Sequence, residues 1–194
     1  TVFAFFAIYW MWFQGEVDGS RLIAKNSMKQ QKFNIILVLV AAFIVKAILA
    51  VKNEGYSVDI TCFRSWSETV FTGGLSHFYE GDVTDYPPGY MLVLWLVAAI
   101  RHLFNIDNYS TTGLFMIKLF PMLFDLAAAY LIYVMAKKRF SEGMSLMLSA
   151  LYALNPAVVI DSSVWGQVDG VLCCMVLLTC YLFMEEKRIL KKFI

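Results

Sequence analysis

The chain has 194 residues, 60% of them hydrophobic and 16% charged, with a formal net charge of +1. A soluble domain carries about a quarter charged residues, so these proportions exclude a soluble globular protein, and the near-neutral balance without a basic stripe leaves no footprint for nucleic acid. Several apolar runs approach the roughly 20 residues that a spanning helix needs, and the fold class expected is an all-α, polytopic transmembrane bundle.

The opening run VFAFFAIYWMWF has neither the basic start nor the small-residue cleavage site of a signal peptide. Residues 1–32 therefore read as the end of an upstream transmembrane helix and a cytoplasmic loop with Arg21, Lys25, Lys29 and Lys32. The final EEKRILKKFI reads as a loop with more chain to follow, so 33–194 is expected to be the N-terminal part of a longer transmembrane module. Helices are expected at about 33–51, 113–136, 143–160 and 168–184, the third broken by Asn155-Pro156. Between the first two lies the one long polar and aromatic interlude, GYSVDITCFRSWSETVFTGGLSHFYEGDVTDYPPGY, followed by the short apolar stretch MLVLWLVAAIRHLF.

Charge sets the expected topology, because Lys and Arg concentrate in cytoplasmic loops. The basic loops are 14–32, 137–142 and 185–192. If 91–104 crossed the membrane, the last two would lie outside. If it does not cross, all three lie inside. Residues 86–104 therefore read as a helix in the outer interface, where Trp95 and the Arg101-His102 end are suited. The first outer loop then runs over about 52–112, and a short second one over about 156–167. The protein is expected to be multi-pass in the cell membrane, with both loops extracytoplasmic.

Several residues in those loops can carry chemistry. Asp59, among aromatic residues just past the first helix, fits a general base or a cation ligand, and equally a solvated acid or the cap of a helix starting at Ile60. In DYPPGY, Asp85 and the prolines form a helix-start signal, while Asp85 and Tyr86 also suit a sugar. In NPAVVIDSSVWGQVDG, Trp165 fits an interfacial belt, Asp169 can cap the following helix, and Gly166 and Gly170 permit close backbone approach. Lys118 and Asp125, seven residues apart on one helix face, are ionisable groups at membrane depth. Lys118 either snorkels or meets a lipid-linked phosphate; Asp125 is expected to pair with a neighbouring helix, and Lys46 to snorkel outward. Cys62, Cys173, Cys174 and Cys180 make no CxxC or His-spaced metal pattern and read as small apolar fillers.

The order of these segments carries more than any one of them. DITCFRSW, DYPPGY, KLFP with FDLAAAYLIY, a basic inner turn, Asn-Pro and WGQVD occur in succession. Over about 33–184 this resembles the GT-C superfamily of membrane glycosyltransferases, which use polyprenyl-phosphate-linked sugars. It is similar to the dolichyl-phosphate-glucose glucosyltransferases in its Asp-Tyr-Pro-Pro segment. In WGQVD it is similar to bacterial mannosyltransferases related to the second GPI mannosyltransferase. The resemblance implies Asp59 as the catalytic base and substrate binding by Arg64, Trp66, Asp85, Tyr86, Lys118, Trp165, Gln167 and Asp169. Of these, Lys118 matches the basic residue that opens a helix in protein mannosyltransferases, and Asp169 the acid of the second outer loop. Metal-dependent members place two acids in that loop, and here Gln167 replaces one, so a divalent metal is not favoured and no other cofactor is expected. The implied partners are a polyprenyl-phosphate-linked sugar donor, the lipid bilayer and an acceptor of unspecified chemistry: protein, lipid or cell-wall glycan. The implied reaction moves a hexose, with mannose favoured, to an acceptor hydroxyl with inversion. A transporter or flippase of lipid-linked sugars shares the apolar bulk, but predicts polar sites at mid-bilayer, whereas these acids gather in outer loops. A non-catalytic assembly subunit is the third reading.

Overall fold

The computed structural model describes residues 28–81 and 86–193, and among them every regular element is a helix. The chain divides into units 1–34 and 35–194, and the helical bundle belongs to the second. The expected upstream helix and most of its basic loop lie outside the described residues. In chain order the elements are α1 (Met28–Lys52), α2 (Ser57–Gly81), α3 (Pro88–Leu103), α4 (Thr111–Ala136), α5 (Glu142–Ala153), the short α6 (Pro156–Val159), a π turn (Ile160–Trp165) and α7 (Asp169–Phe193).

Two of these are long and apolar enough to cross a membrane, Gln31–Lys52 and Thr111–Ala136. The pair Glu142–Ala153 and Pro156–Trp165, bent by 48°, makes a third if it acts as one span. The bend sits where the sequence breaks: Asn155 accepts the Ala157 N–H at 2.9 Å and Pro156 opens the next turn. Most of the second outer loop expected at 156–167 is thus helical. The polar interlude is helical too. It forms α2, kinked at Gly74, where φ is 75°, a left-handed conformation that favours glycine. The short apolar stretch forms α3, with Pro88 in its first turn.

Helix periodicity decides what each element buries. On α1, Ala42, Lys46 and Ala50 are buried while Ile36, Val40, Ile44 and Ile48 are exposed, two stripes on opposite faces at helical spacing. An exposed apolar stripe of this kind suits lipid. One end of the bundle has its own apolar core, in which Ile60, Phe63 and Val70 of α2 meet Met91, Leu94 and Val97 of α3 and Leu114 and Ile117 of α4. Helices α2 and α3 are locked further by Glu68, which accepts from Arg101 and, at 2.9 Å, pairs with His102. Phe71 stacks on His102 with ring centroids 4.5 Å apart. Deeper in the bundle, Ala42, Ala129 and Ala153 let three helices approach, and Ser149 donates to the Ala129 carbonyl at 2.9 Å. The basic turn between α4 and α5 is tied by Lys137 to Glu142 at 2.9 Å and by Lys138 to Glu185.

The centre of the bundle holds an ion pair. Lys46 Nζ donates to Asp125 Oδ2 at 2.8 Å, to Ser162 Oγ at 3.0 Å and to the Val158 carbonyl at 3.1 Å. Lys46 is 0% exposed and Asp125 1%. Asp125 pairs with a neighbouring helix as expected, but its partner is Lys46, which was expected to turn outward and snorkel. The correction has a simple cause: a carboxylate, a hydroxyl and a carbonyl satisfy all three ammonium protons inside the bundle, so the side chain has no need of the interface. Helix α7 closes the same site with Gly170, where an added Cβ would lie 2.1 Å from Asp125 Oδ1.

Removing one member of a buried pair leaves the other charge uncompensated and costs about 3–5 kcal/mol. Lys46→Met is expected to lower the thermal unfolding midpoint of the full-length protein in detergent markedly. Lys46→Met combined with Asp125→Leu is expected to regain most of that loss. A wild-type midpoint for the single variant would show that the pair does not hold the bundle.

Candidate active site

The site forms where two connections meet, the one after α1 and the one after the π turn. Both need glycine. Gly55 has φ 90°, and a Cβ there would sit 2.7 Å from the Trp165 carbonyl and 2.8 Å from Ile60 Cγ1. Gly166 has φ 92°, and its Cβ would lie 2.7 Å from Ile60 Cδ1. The close crossing lets the Tyr56 N–H donate to the Trp165 carbonyl at 2.9 Å.

The end of the π turn leaves carbonyls without helical partners. Lys118 supplies two of them, donating to Ser163 O at 3.1 Å and Val164 O at 3.3 Å, and also to Asn53 O at 2.7 Å. Its cation thus sits at the C-terminal end of the helical segment, the favourable pole of the helix dipole. Lys118 is fully buried and its three protons are spent on the backbone. It therefore joins the two connections from beneath rather than facing a ligand phosphate.

Docked in this way, the turn brings its side chains to Asp59. The carboxylate lies in the first turn of α2, where negative charge is favoured. Asp59 Oδ2 accepts from Trp165 Nε1 at 2.8 Å and from Gln167 Nε2 at 2.6 Å. Among the described residues no hydrogen bond reaches Oδ1. Gln167 Oε1 in turn accepts from the Tyr86 hydroxyl at 3.0 Å. This network fixes the amide orientation: a carboxylate only accepts, so the NH2 group must face Asp59. Tyr86 is steadied from behind by aromatic rings, with Trp66 at 5.3 Å and Phe63 at 5.5 Å between centroids.

Of the expected site residues, Asp59, Tyr86, Trp165 and Gln167 form one hydrogen-bonded chain. Trp66 supports it by packing and Lys118 by holding the backbone. Arg64 points elsewhere, its guanidinium 5.1 Å above the Tyr109 ring. Asp169 is exposed in the first turn of α7, within electrostatic reach of Asp161. Asp85 lies outside the described residues. Residues at the site that sequence pattern did not single out are Gly55 and Tyr56. The only signal for Gly55 was its place right after a helix end. Among the described residues no group of three or more His, Cys, Asp or Glu side chains is placed to hold a metal ion.

Comparison with known proteins places the chain. The family model described as dolichyl-phosphate-mannose-protein mannosyltransferase matches residues 85–192, which include Tyr86, Lys118, Trp165 and Gln167 and leave Asp59 outside. GPI mannosyltransferase 1 of Saccharomyces cerevisiae is 27% identical over 125 residues, 61% of this chain and 28% of that protein. The chain therefore spans less than a third of the length of this curated relative. No solved structure matches. With more than half of its length matched by the family model, the chain belongs to the dolichyl-phosphate-mannose-protein mannosyltransferase family.

Proposed function

We propose that this chain carries the catalytic base of a GT-C-type membrane mannosyltransferase, which moves mannose from a polyprenyl-phosphate donor to an acceptor hydroxyl on the extracytoplasmic face. The observation that carries this reading is the asymmetry at Asp59: Oδ2 is held by two donors, and Oδ1 accepts no hydrogen bond among the described residues. A base must be fixed in direction yet keep a lone pair for the incoming proton. Trp165 and Gln167 do the first and leave the second open.

The chemical step uses this arrangement directly. The acceptor O–H gives its proton to Asp59 Oδ1 as the acceptor oxygen attacks the anomeric carbon. The bond from that carbon to the donor phosphate oxygen breaks, and its electron pair leaves with the phosphate. Direct attack inverts the anomeric centre. The departing phosphate is a stable anion, so no residue need protonate it. We read the reaction as independent of a divalent metal. Gln167 turns its NH2 group toward Asp59, which puts a hydrogen where a shared cation would need a lone pair. Lys118 and Arg64 are not read as phosphate ligands, since the first is engaged by backbone carbonyls and the second lies over the Tyr109 ring.

Asp59→Asn keeps the shape and can still accept both hydrogen bonds, but cannot take a proton. In the full-length protein it is expected to lower sugar transfer by about 10²–10⁴-fold with an unchanged thermal midpoint. Transfer at the wild-type rate would remove Asp59 as the base. Sidedness is tested separately with Cys62, the half-buried thiol three residues further along α2. In a variant lacking the other cysteines it is expected to react with a membrane-impermeant maleimide on intact cells. Reaction only after permeabilisation would place the site on the cytoplasmic face.

A further inference from the structure

Trp165 also lines a groove of about 310 Å³, together with Asn53, Glu54, Tyr56, Ile160 and Val164. We propose that this groove binds a neutral sugar ring, so that the acceptor delivered to Asp59 is a glycan or a glycolipid headgroup rather than a peptide. The proposal rests on the reading of Asp59 as the base and names the class of molecule which that base serves.

Three observations point to a carbohydrate. The first is the aromatic pair. Tyr56 and Trp165 stand with centroids 5.5 Å apart and planes at 56°, and they remain 50% and 46% exposed. A Trp of an interfacial belt turns its N–H to water or headgroups, whereas here the N–H is spent on Asp59. The indole face is thereby held at a fixed angle beside the base, a rigid apolar wall for the C–H face of a pyranose. The second is charge. The one ionised group among the lining residues is Glu54, which accepts from sugar hydroxyls and repels phosphate. Lys118 lies underneath, but its ammonium is buried against three carbonyls and offers nothing to an anion. The donor's phosphate therefore does not belong here. The third is size and place. The volume is at the lower end of small-ligand sites and holds about one hexose with its waters, and Trp165, which lines the groove, is the residue that donates to Asp59 at 2.8 Å.

The test is binding of soluble probes to the full-length protein in lipid nanodiscs, read by saturation-transfer NMR. The probes are methyl α-mannobioside and a neutral Ser/Thr-containing hexapeptide. The mannobioside is expected to bind the wild type, with saturation strongest on its ring C–H protons, and the peptide is expected not to. Tyr56→Ala should weaken the sugar about tenfold, Glu54→Gln less so, and Tyr56→Phe, which keeps the ring, should bind as the wild type does. Asp59→Asn should bind as well as the wild type, because the groove does not need the proton acceptor. Absence of sugar binding, binding indifferent to Tyr56→Ala, or binding of the peptide alone would each overturn the proposal. The two readings separate cleanly. An active Asp59→Asn enzyme with Tyr56-dependent sugar binding sinks the base and keeps the groove. An inactive one with sugar binding that ignores Tyr56 does the reverse.

Discussion

A π turn ends with backbone carbonyls that no helical N–H can reach, and in this protein two buried lysines from two different helices help to satisfy that segment. Lys46 of α1 serves Ser162 Oγ within the turn and Val158 O in the α6 helix before it, and Lys118 of α4 serves Ser163 O and Val164 O. The Tyr56 N–H takes the next carbonyl, that of Trp165. An unsatisfied carbonyl buried away from water costs about 1–3 kcal/mol, so these donors are what let the irregular segment persist inside the bundle. Everything at the site hangs from this constraint.

The constraint fixes direction as well as stability. With its backbone pinned at Ser163, Val164 and Trp165, the chain turns through Gly166 in the left-handed region and presents Trp165 and Gln167 to one side. Asp59 arrives from the other, at the start of α2, because the connection at Asn53 is bound to the same ammonium of Lys118. One cation therefore sets the spacing between the carboxylate and its two donors. Gly170 continues the logic at the opposite end: only a residue without Cβ lets α7 approach Asp125, whose partner Lys46 supports the turn from below.

Much of this was legible in the sequence, and the reasons differ by residue. The apolar runs announced the helices, and Asn155-Pro156 announced the bend. Motif order grouped Asp59 with Tyr86, Trp165 and Gln167, though also with Arg64, Trp66, Asp85, Lys118 and Asp169. What pattern could not give is the route of a long cation. Lys46 and Lys118 both sit near one end of an apolar helix, which is equally the signature of a snorkelling side chain, and only three-dimensional pairing separates the two fates. The π turn was hidden for a related reason: its extra residue alters hydrogen bonding without altering composition, so 156–167 read as a loop. Arg64 was grouped with the site on a motif that says nothing about helix face. It lies five residues from Asp59, well over a quarter turn around α2, and faces Tyr109 instead.

The central claim is that the turn acts through Asp59 rather than beside it. The most direct measurement is a double-mutant cycle on sugar transfer by the full-length protein, with Asp59→Asn and Gln167→Ala alone and together. If Gln167 works by orienting the carboxylate, its loss lowers transfer while Asp59 is present and changes little once Asp59 is Asn, so the double variant equals Asp59→Asn. If the two losses multiply, Gln167 serves the reaction by some other path, and the hydrogen-bonded chain that ties the turn to Asp59 is not the device that runs it.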